Sequence, residues 1–189
     1  RRQVVALQKG LNMSLAGNDF DSVQLYAAMD AQRIERGLSW RQVANELWEQ
    51  SRVLNELRND HPISVSTLTG IAKRGDTTCQ HALFILRWLG RTPESFLPTP
   101  PVSTDDMALP VIGQDRRLRW DLAAVYESMD QKRRNEDLTW QVLATKLRCS
   151  PNQLMGVRTA RYAIGMNLMM KIVRWLDQPA ATFVYAARW

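Results

Sequence analysis

Four side chains could ligate a transition metal: Cys79, His81, His61 and Cys149. Thiolates and imidazoles are the usual zinc donors, but zinc sites take them from paired, closely spaced ligands, and these four come as one Cys-x-His and two single residues. Cys79 also lies on an apolar helical stripe with Ala82 and Leu83, so a buried structural thiol in a reducing compartment is expected. Catalytic chemistry has equally little to stand on. There are 2 histidines, no glycine-rich phosphate loop and no nucleophile motif. The carboxylate common to two places in the chain, Asp30 and Asp130, reads as a helix-surface partner of Arg33 and Arg133 at i+3. No enzyme, metal or cofactor is expected.

Charge is more informative. The net value of +6 divides unevenly: +2 over residues 1–20, 0 over 21–97, −3 over 98–115 and +7 over 116–189. The last segment attracts polyanions, nucleic acid among them.

Those basic residues belong to a duplication. Residues 21–47 laid over 121–147 without a gap give nine identities, from Asp21/Asp121 through Tyr26/Tyr126, Asp30/Asp130, Arg33/Arg133 and Trp40/Trp140 to Leu47/Leu147. The register returns as Arg87-Trp88-Leu89 over Arg174-Trp175-Leu176 at an offset of 87 instead of 100, so copy one holds an insertion, assigned to residues 48–60. Two compact domains follow, 19–97 and 116–189, with an N-terminal arm or helix at 1–18 and a Pro-rich, acidic, semi-stiff linker at 98–115 that can hold the domains apart, although its apolar run Met107–Ile112 can also dock onto one of them.

Each copy reads as all-α, without a convincing strand. Asn18-Asp19 are candidate caps for a first helix that ends at Gly37, which Asp137 replaces in copy two. In copy two Leu118, Leu122, Val125 and Met129 form the core stripe of that helix. Ser39 and Thr139 cap a second helix, with Gln42 closing a capping box in copy one alone. Val43, Leu47, Leu54 and Leu57 keep helical spacing, so the insertion should prolong that second helix until Pro62. A third helix is expected over 65–73 and 151–158, the latter with Ser150 as N-cap, Pro151 at its first position and Gln153 as the capping-box return. A fourth runs from about Thr77 to Leu89 and along Met166, Met169-Met170, Val173 and Leu176, and a short closing helix folds back Phe96 or Phe183.

Ala31–Leu47 with Ile63–Gly75 and Leu86–Gly90, and Leu138–Ala144 with Ser150–Leu154 and Val173–Leu176, resemble the Xre-type, phage-repressor-like helix-turn-helix family, in two tandem copies. The resemblance implies two five-helix units in which the third helix enters the major groove of DNA. It assigns base reading in copy two to Asn152, Gln153 and Gly156, with Arg158 and Arg161 following, since Asn and Gln can pair bidentately with adenine and arginine suits guanine or phosphate. In copy one the matching places hold Ser66, Thr67 and Thr69, with Ser64 beside them, poorer in base-reading groups. Phosphate contacts are expected from Lys73, Arg74, Arg116, Arg117, Arg119, Lys132, Arg133, Arg134 and Arg148.

The function implied is a sequence-specific, double-stranded DNA-binding transcriptional regulator with two unlike heads, cytoplasmic, and nucleoid-associated if bacterial. The alternative is a protein-interaction module, an antiactivator or assembly adaptor, docking a partner through Trp48, Val53 and Leu54 of the insertion. A homodimer is left open. No apolar run approaches the ~20 residues that span a bilayer, and the first residues lack the apolar core of a secretory signal.

Overall fold

The computed structural model describes residues 20–59, 61–99, 108–159 and 163–188. Residues 1–19, and with them Asn18 and Asp19, lie outside the described residues, as does Arg161.

The repeated residues explain why both copies fold alike. Asp21 and Asp121 are the N-caps, each accepting a backbone N–H at 2.9 Å, of helices α1 (Ser22–Glu35) and α7 (Leu122–Asn135). Left-handed Gly37 (φ 64°) and Asp137 (φ 53°) then turn the chain into α2 (Trp40–Glu49) and α8 (Trp140–Leu147), capped by Ser39 and Thr139. Tyr26 stacks on Trp40 at 5.4 Å between centroids, and Tyr126 on Trp140 at 5.6 Å. Arg33 completes each joint: it bonds Asp30 at 2.7 Å, donates to the Leu38 carbonyl at 2.8 Å and lies 4.9 Å from the Trp40 centroid. Arg133 repeats this with Asp130, Leu138 and Trp140. One arginine per copy thus ties the first helix to the start of the second by an ion pair, a backbone hydrogen bond and a cation–π contact.

The insertion does not prolong α2. The helix ends at Glu49, and after Gln50-Ser51 a separate α3 (Arg52–Arg58) begins. Tertiary partners override the helical spacing here. Ser51 Oγ donates to the Arg116 carbonyl at 2.7 Å and accepts from Arg87 at 3.0 Å, while Asn55 returns a bond to the Trp48 carbonyl at 2.8 Å. Leu54 is thereby buried in the domain and is not an exposed docking residue. Left-handed Asn59, not Pro62, ends α3.

The third helix is short in both copies: α4 (Val65–Thr69), followed after Gly70 by α5 (Ile71–Arg74), and α9 (Pro151–Met155). Helices α6 (Cys79–Leu89) and α10 (Met166–Leu176) are the buried backs of the two copies, and 3-10 turns at Pro93–Phe96 and Ala180–Phe183 close them.

The described residues are mostly helical, with one two-stranded sheet absent from the sequence expectation. Strand β1 (Arg117–Trp120) pairs antiparallel with β2 (Val184–Ala187), Leu118 opposite Ala186 and Trp120 opposite Val184. Leu118 therefore enters the core from a strand, not from the first helix of copy two. Four residues are too short to give a readable period of two, and side-chain partners fix the strand: Gln80 donates to the Leu118 carbonyl at 2.8 Å and the Trp120 indole to the Cys79 carbonyl at 3.0 Å.

Instead of standing apart on a spacer, the copies share one hydrophobic core that runs from Phe20 to Val184. At its centre Thr78 and Gly165, 87 positions apart, face each other as an antiparallel bridge. Cys79 N–H donates to the Ile164 carbonyl at 2.8 Å and Met166 N–H to the Thr77 carbonyl at 2.7 Å. At the same offset Met166 is the counterpart of Cys79 and Ile164 that of Thr77, so exchanging the copies exchanges the bonds, as a local two-fold axis requires. The end of the linker docks as well: Arg87 donates to the carbonyls of Ile112 and Gly113, and Leu109 and Ile112 lie against the core.

The two-fold is broken where α6 and α10 begin. Thr78 caps its own helix by accepting from His81 N–H at 3.1 Å, but its counterpart Gly165 has no side chain to offer. Asp76 of copy one crosses over and accepts from Asn167 N–H at 3.2 Å while also accepting from Thr77 N–H. Burial pushes the Asp76 carboxyl above the usual range, against the pull of those backbone donors.

Candidate nucleic-acid interface

Helix α9 owes its position to two buried anchors, Leu154 and Val157, both fully inside. Helical geometry then turns Asn152, Gln153 and Arg158 outward, and all three are exposed. Ser150 and Gln153 close a capping box: Ser150 Oγ accepts from Gln153 N–H at 3.2 Å and Gln153 Oε1 accepts from Ser150 N–H at 2.8 Å. The Gln153 amide is thus held by its own helix start, and Asn152 is the better placed of the two to reach a base edge. Gly156 is half-buried at the helix C-cap with an ordinary φ of −72°. Arg158 lies 5.9 Å from the Tyr126 ring.

In copy one the anchors are Leu68 and Ile71, and Ser66 and Thr67 take the positions of Asn152 and Gln153. Their hydroxyls are turned inward on the helix start: Ser64 Oγ lies 3.0 Å from Ser66 Oγ and 2.7 Å from Thr67 Oγ1, and Thr69 Oγ1 donates to the Val65 carbonyl at 3.0 Å. Arg74 folds back to donate to the Thr67 carbonyl at 2.6 Å, across Gly70, where a Cβ would meet the guanidinium at 2.2 Å. Lys73 is exposed.

The expected phosphate ligands separate into two groups. Arg133, 16% exposed, belongs to the α7–α8 joint, and Arg117 bonds Asn55 and lies over the Phe84 ring 5.6 Å away. Both serve the fold, and phosphate binding by them would break the contacts described. Arg119 stands on β1 opposite Tyr185. Arg116 pairs loosely with Asp115 at 3.8 Å, and Lys132 with Glu136 at 3.8 Å, with its ammonium 5.3 Å from the Trp175 ring. Arg134 reaches Asp130 at 2.7 Å yet keeps 68% of its side chain exposed. Arg148 is exposed at the left-handed end of α8, two residues before the Ser150 cap. The hydrogen bond from Arg133, reinforced by the charge of Arg134, holds the Asp130 carboxyl below its ordinary range.

One outward residue escaped the sequence reading. Met155 is 42% exposed on α9, three positions after Asn152, where an apolar side chain could contact a thymine methyl. Its spacing from Asn152 was the available signal. Among the described residues no helix is long and apolar enough to cross a membrane, and no cluster of His, Cys, Asp and Glu could hold a metal. Comparison with protein-family profiles, curated proteins and solved structures found no match for this chain.

Proposed function

We propose that the chain is a sequence-specific, double-stranded DNA-binding transcriptional regulator whose two helix-turn-helix units act as an intramolecular pair. The observation that carries the reading is the pairing of two short, side-chain-capped helices, α4 and α9, each with polar residues outward, one apolar anchor inward and a second just beyond its end, in copies related by a local two-fold. Two-fold pairs of such units grip successive major grooves about 34–36 Å apart. Copy two reads bases through Asn152 with support from Arg158 and carries the +7 segment charge, while copy one, its hydroxyls bonded within α4, contacts backbone. Binding to a labelled duplex across a salt series tests this. Affinity should fall steeply with salt, and Arg148→Ala should lower the logarithmic slope by about one without changing sequence preference. Salt-independent binding, or none, would refute it.

A protein-docking role through the insertion has one observation in its favour: Val53 and Leu57 on α3 are exposed, at 41% and 82%. Under that reading Leu57→Glu abolishes activity in cells and leaves DNA affinity unchanged.

A further inference from the structure

Helices α1 and α7 have matching caps, the same joint and matching core positions, yet they differ where they face solvent. In α1 the side opposite buried Leu25 and Met29 carries Val23, Ala27, Ala31 and Ile34, spaced four, four and three apart and therefore on one face. All four are exposed, Val23 at 54% and Ile34 at 62%. In α7 the same positions hold Ala123, Glu127, Gln131 and Arg134, also exposed. Because α7 keeps its fold with a charged and polar face there, the fold does not require the apolar one. A contiguous apolar stripe on one of two duplicate helices marks a contact surface.

We propose that this stripe pairs with the same stripe of a second copy of the chain, α1 against α1 and antiparallel across a two-fold axis. The pattern is complementary to itself. Its branched residues stand at the ends and its alanines in the middle of the helix, so a two-fold sets Val23 beside Ile34 of the second copy and Ala27 beside Ala31 of the second copy. Alanines at the crossing let the axes approach to the short end of the roughly 8–10 Å range. Charge selects the same partner. The +7 of residues 116–189 repels a second copy of itself, whereas residues 21–97 carry a net charge of 0, so copy one is the side on which two chains can meet. Along one border of the stripe Gln24 and Glu35 are exposed, and antiparallel packing brings the Glu35 carboxylate near the Gln24 amide of the second copy, with the helix dipoles opposed. On the other border Asp30 is neutralised by its own Arg33. Four residues of one 14-residue helix, doubled, bury less than the roughly 1,200–2,000 Å² of a stable interface, so the pair is weak and reversible.

Sedimentation velocity of the full chain from about 1 to 300 µM tests this without DNA. Expected is a monomer–dimer equilibrium with a Kd of roughly 10–100 µM, weaker than standard-size interfaces give. Ala27→Glu, Ala31→Gln and Ile34→Arg together install the outward residues that α7 already carries, so this variant should keep its circular dichroism spectrum and dimerise at least about tenfold more weakly. Leu57→Glu, on the exposed apolar surface of α3, should leave the equilibrium unchanged. For the register, chains with Ala27→Cys and chains with Ala31→Cys, both in a Cys149→Ser background, should crosslink to each other under mild oxidation faster than either crosslinks to itself. A native chain that stays monomeric at about 300 µM would overturn the proposal and leave the stripe to a different protein. A dimer that the triple variant retains or that Leu57→Glu removes, or faster crosslinking of either cysteine variant to itself, would also overturn it.

Discussion

Gly165→Ala separates the structure from the rule of thumb for glycine. At Gly165 the backbone is ordinary (φ −68°, ψ 147°), and alanine there should by itself stabilise by about 0.4–1 kcal/mol by restricting the unfolded chain. In this fold, however, the new Cβ would stand 2.2 Å from one carboxylate oxygen of Asp76 and 3.2 Å from its Cγ. The carboxylate must swing away and abandon Asn167 N–H, so α10 loses its N-cap, worth about 1 kcal/mol with a range of 0.5–2. The half-buried carboxylate forced from its donors adds a desolvation cost of about 1 kcal/mol, the low end for such groups. The net expectation is destabilisation by about 1–2 kcal/mol, read as a lower urea midpoint at unchanged slope. In an Asp76→Ala background the obstruction is gone, and the same Gly165→Ala change should be neutral or stabilising by about 0.5 kcal/mol, so the double-mutant cycle gives a coupling of opposite sign to the single change. If Gly165→Ala stabilises the otherwise native chain, the crossed cap is wrong.

Other consequences can be checked with the same material. Arg133→Ala should cost about 2 kcal/mol, because it removes a charge-assisted bond to Asp130, a donor to the Leu138 carbonyl and the contact with Trp140; exposed Arg134→Ala should cost under about 0.5 kcal/mol, and urea unfolding compares the two. Since the Asp130 pKa lies below its reference of 3.8 in the folded chain, its stabilisation is complete above that reference and is lost as pH falls through the folded value. Asp130→Asn should flatten the acid limb of a stability–pH curve. Burial pushes the Cys79 thiol up to about 12, so at pH 8 its thiolate fraction is about one in ten thousand, and in a Cys149→Ser chain a thiol reagent should label it only at the rate of unfolding. Rapid labelling under native conditions would show that Cys79 is not enclosed.

The duplication was the most legible feature of the sequence, because the nine matching residues are the parts of one joint: caps, stacked rings, an arginine tie and core contacts. The caps at Ser39, Thr139 and Ser150 and the left-handed turn at Gly37 and Asp137 were legible for a related reason, since they are set by neighbours three or four residues away. What depended on distant partners was not. Helical spacing carried the second helix through Ser51, where bonds to Arg116 and Arg87 break it. Helical spacing drew Leu118 into the stripe of the following helix, although its strand is fixed by Gln80 and by pairing with Val184–Ala187. Nothing local distinguished an arginine that would build a joint, Arg133, from one left in solvent, Arg148, and nothing local revealed that the copies share a core, whereas the apolar Leu109 and Ile112 did signal that the Pro-rich segment ends by docking.

The most direct measurement on the proposed function is selection of bound sequences from a random duplex pool by the whole chain, repeated with Asn152→Ala, a change that leaves the capping box intact. A two-headed reader with base recognition in copy two predicts one well-defined half-site that Asn152→Ala blurs, beside a weakly defined second region about one helical turn away. A palindromic motif, a motif indifferent to Asn152→Ala, or no enrichment at all would contradict it.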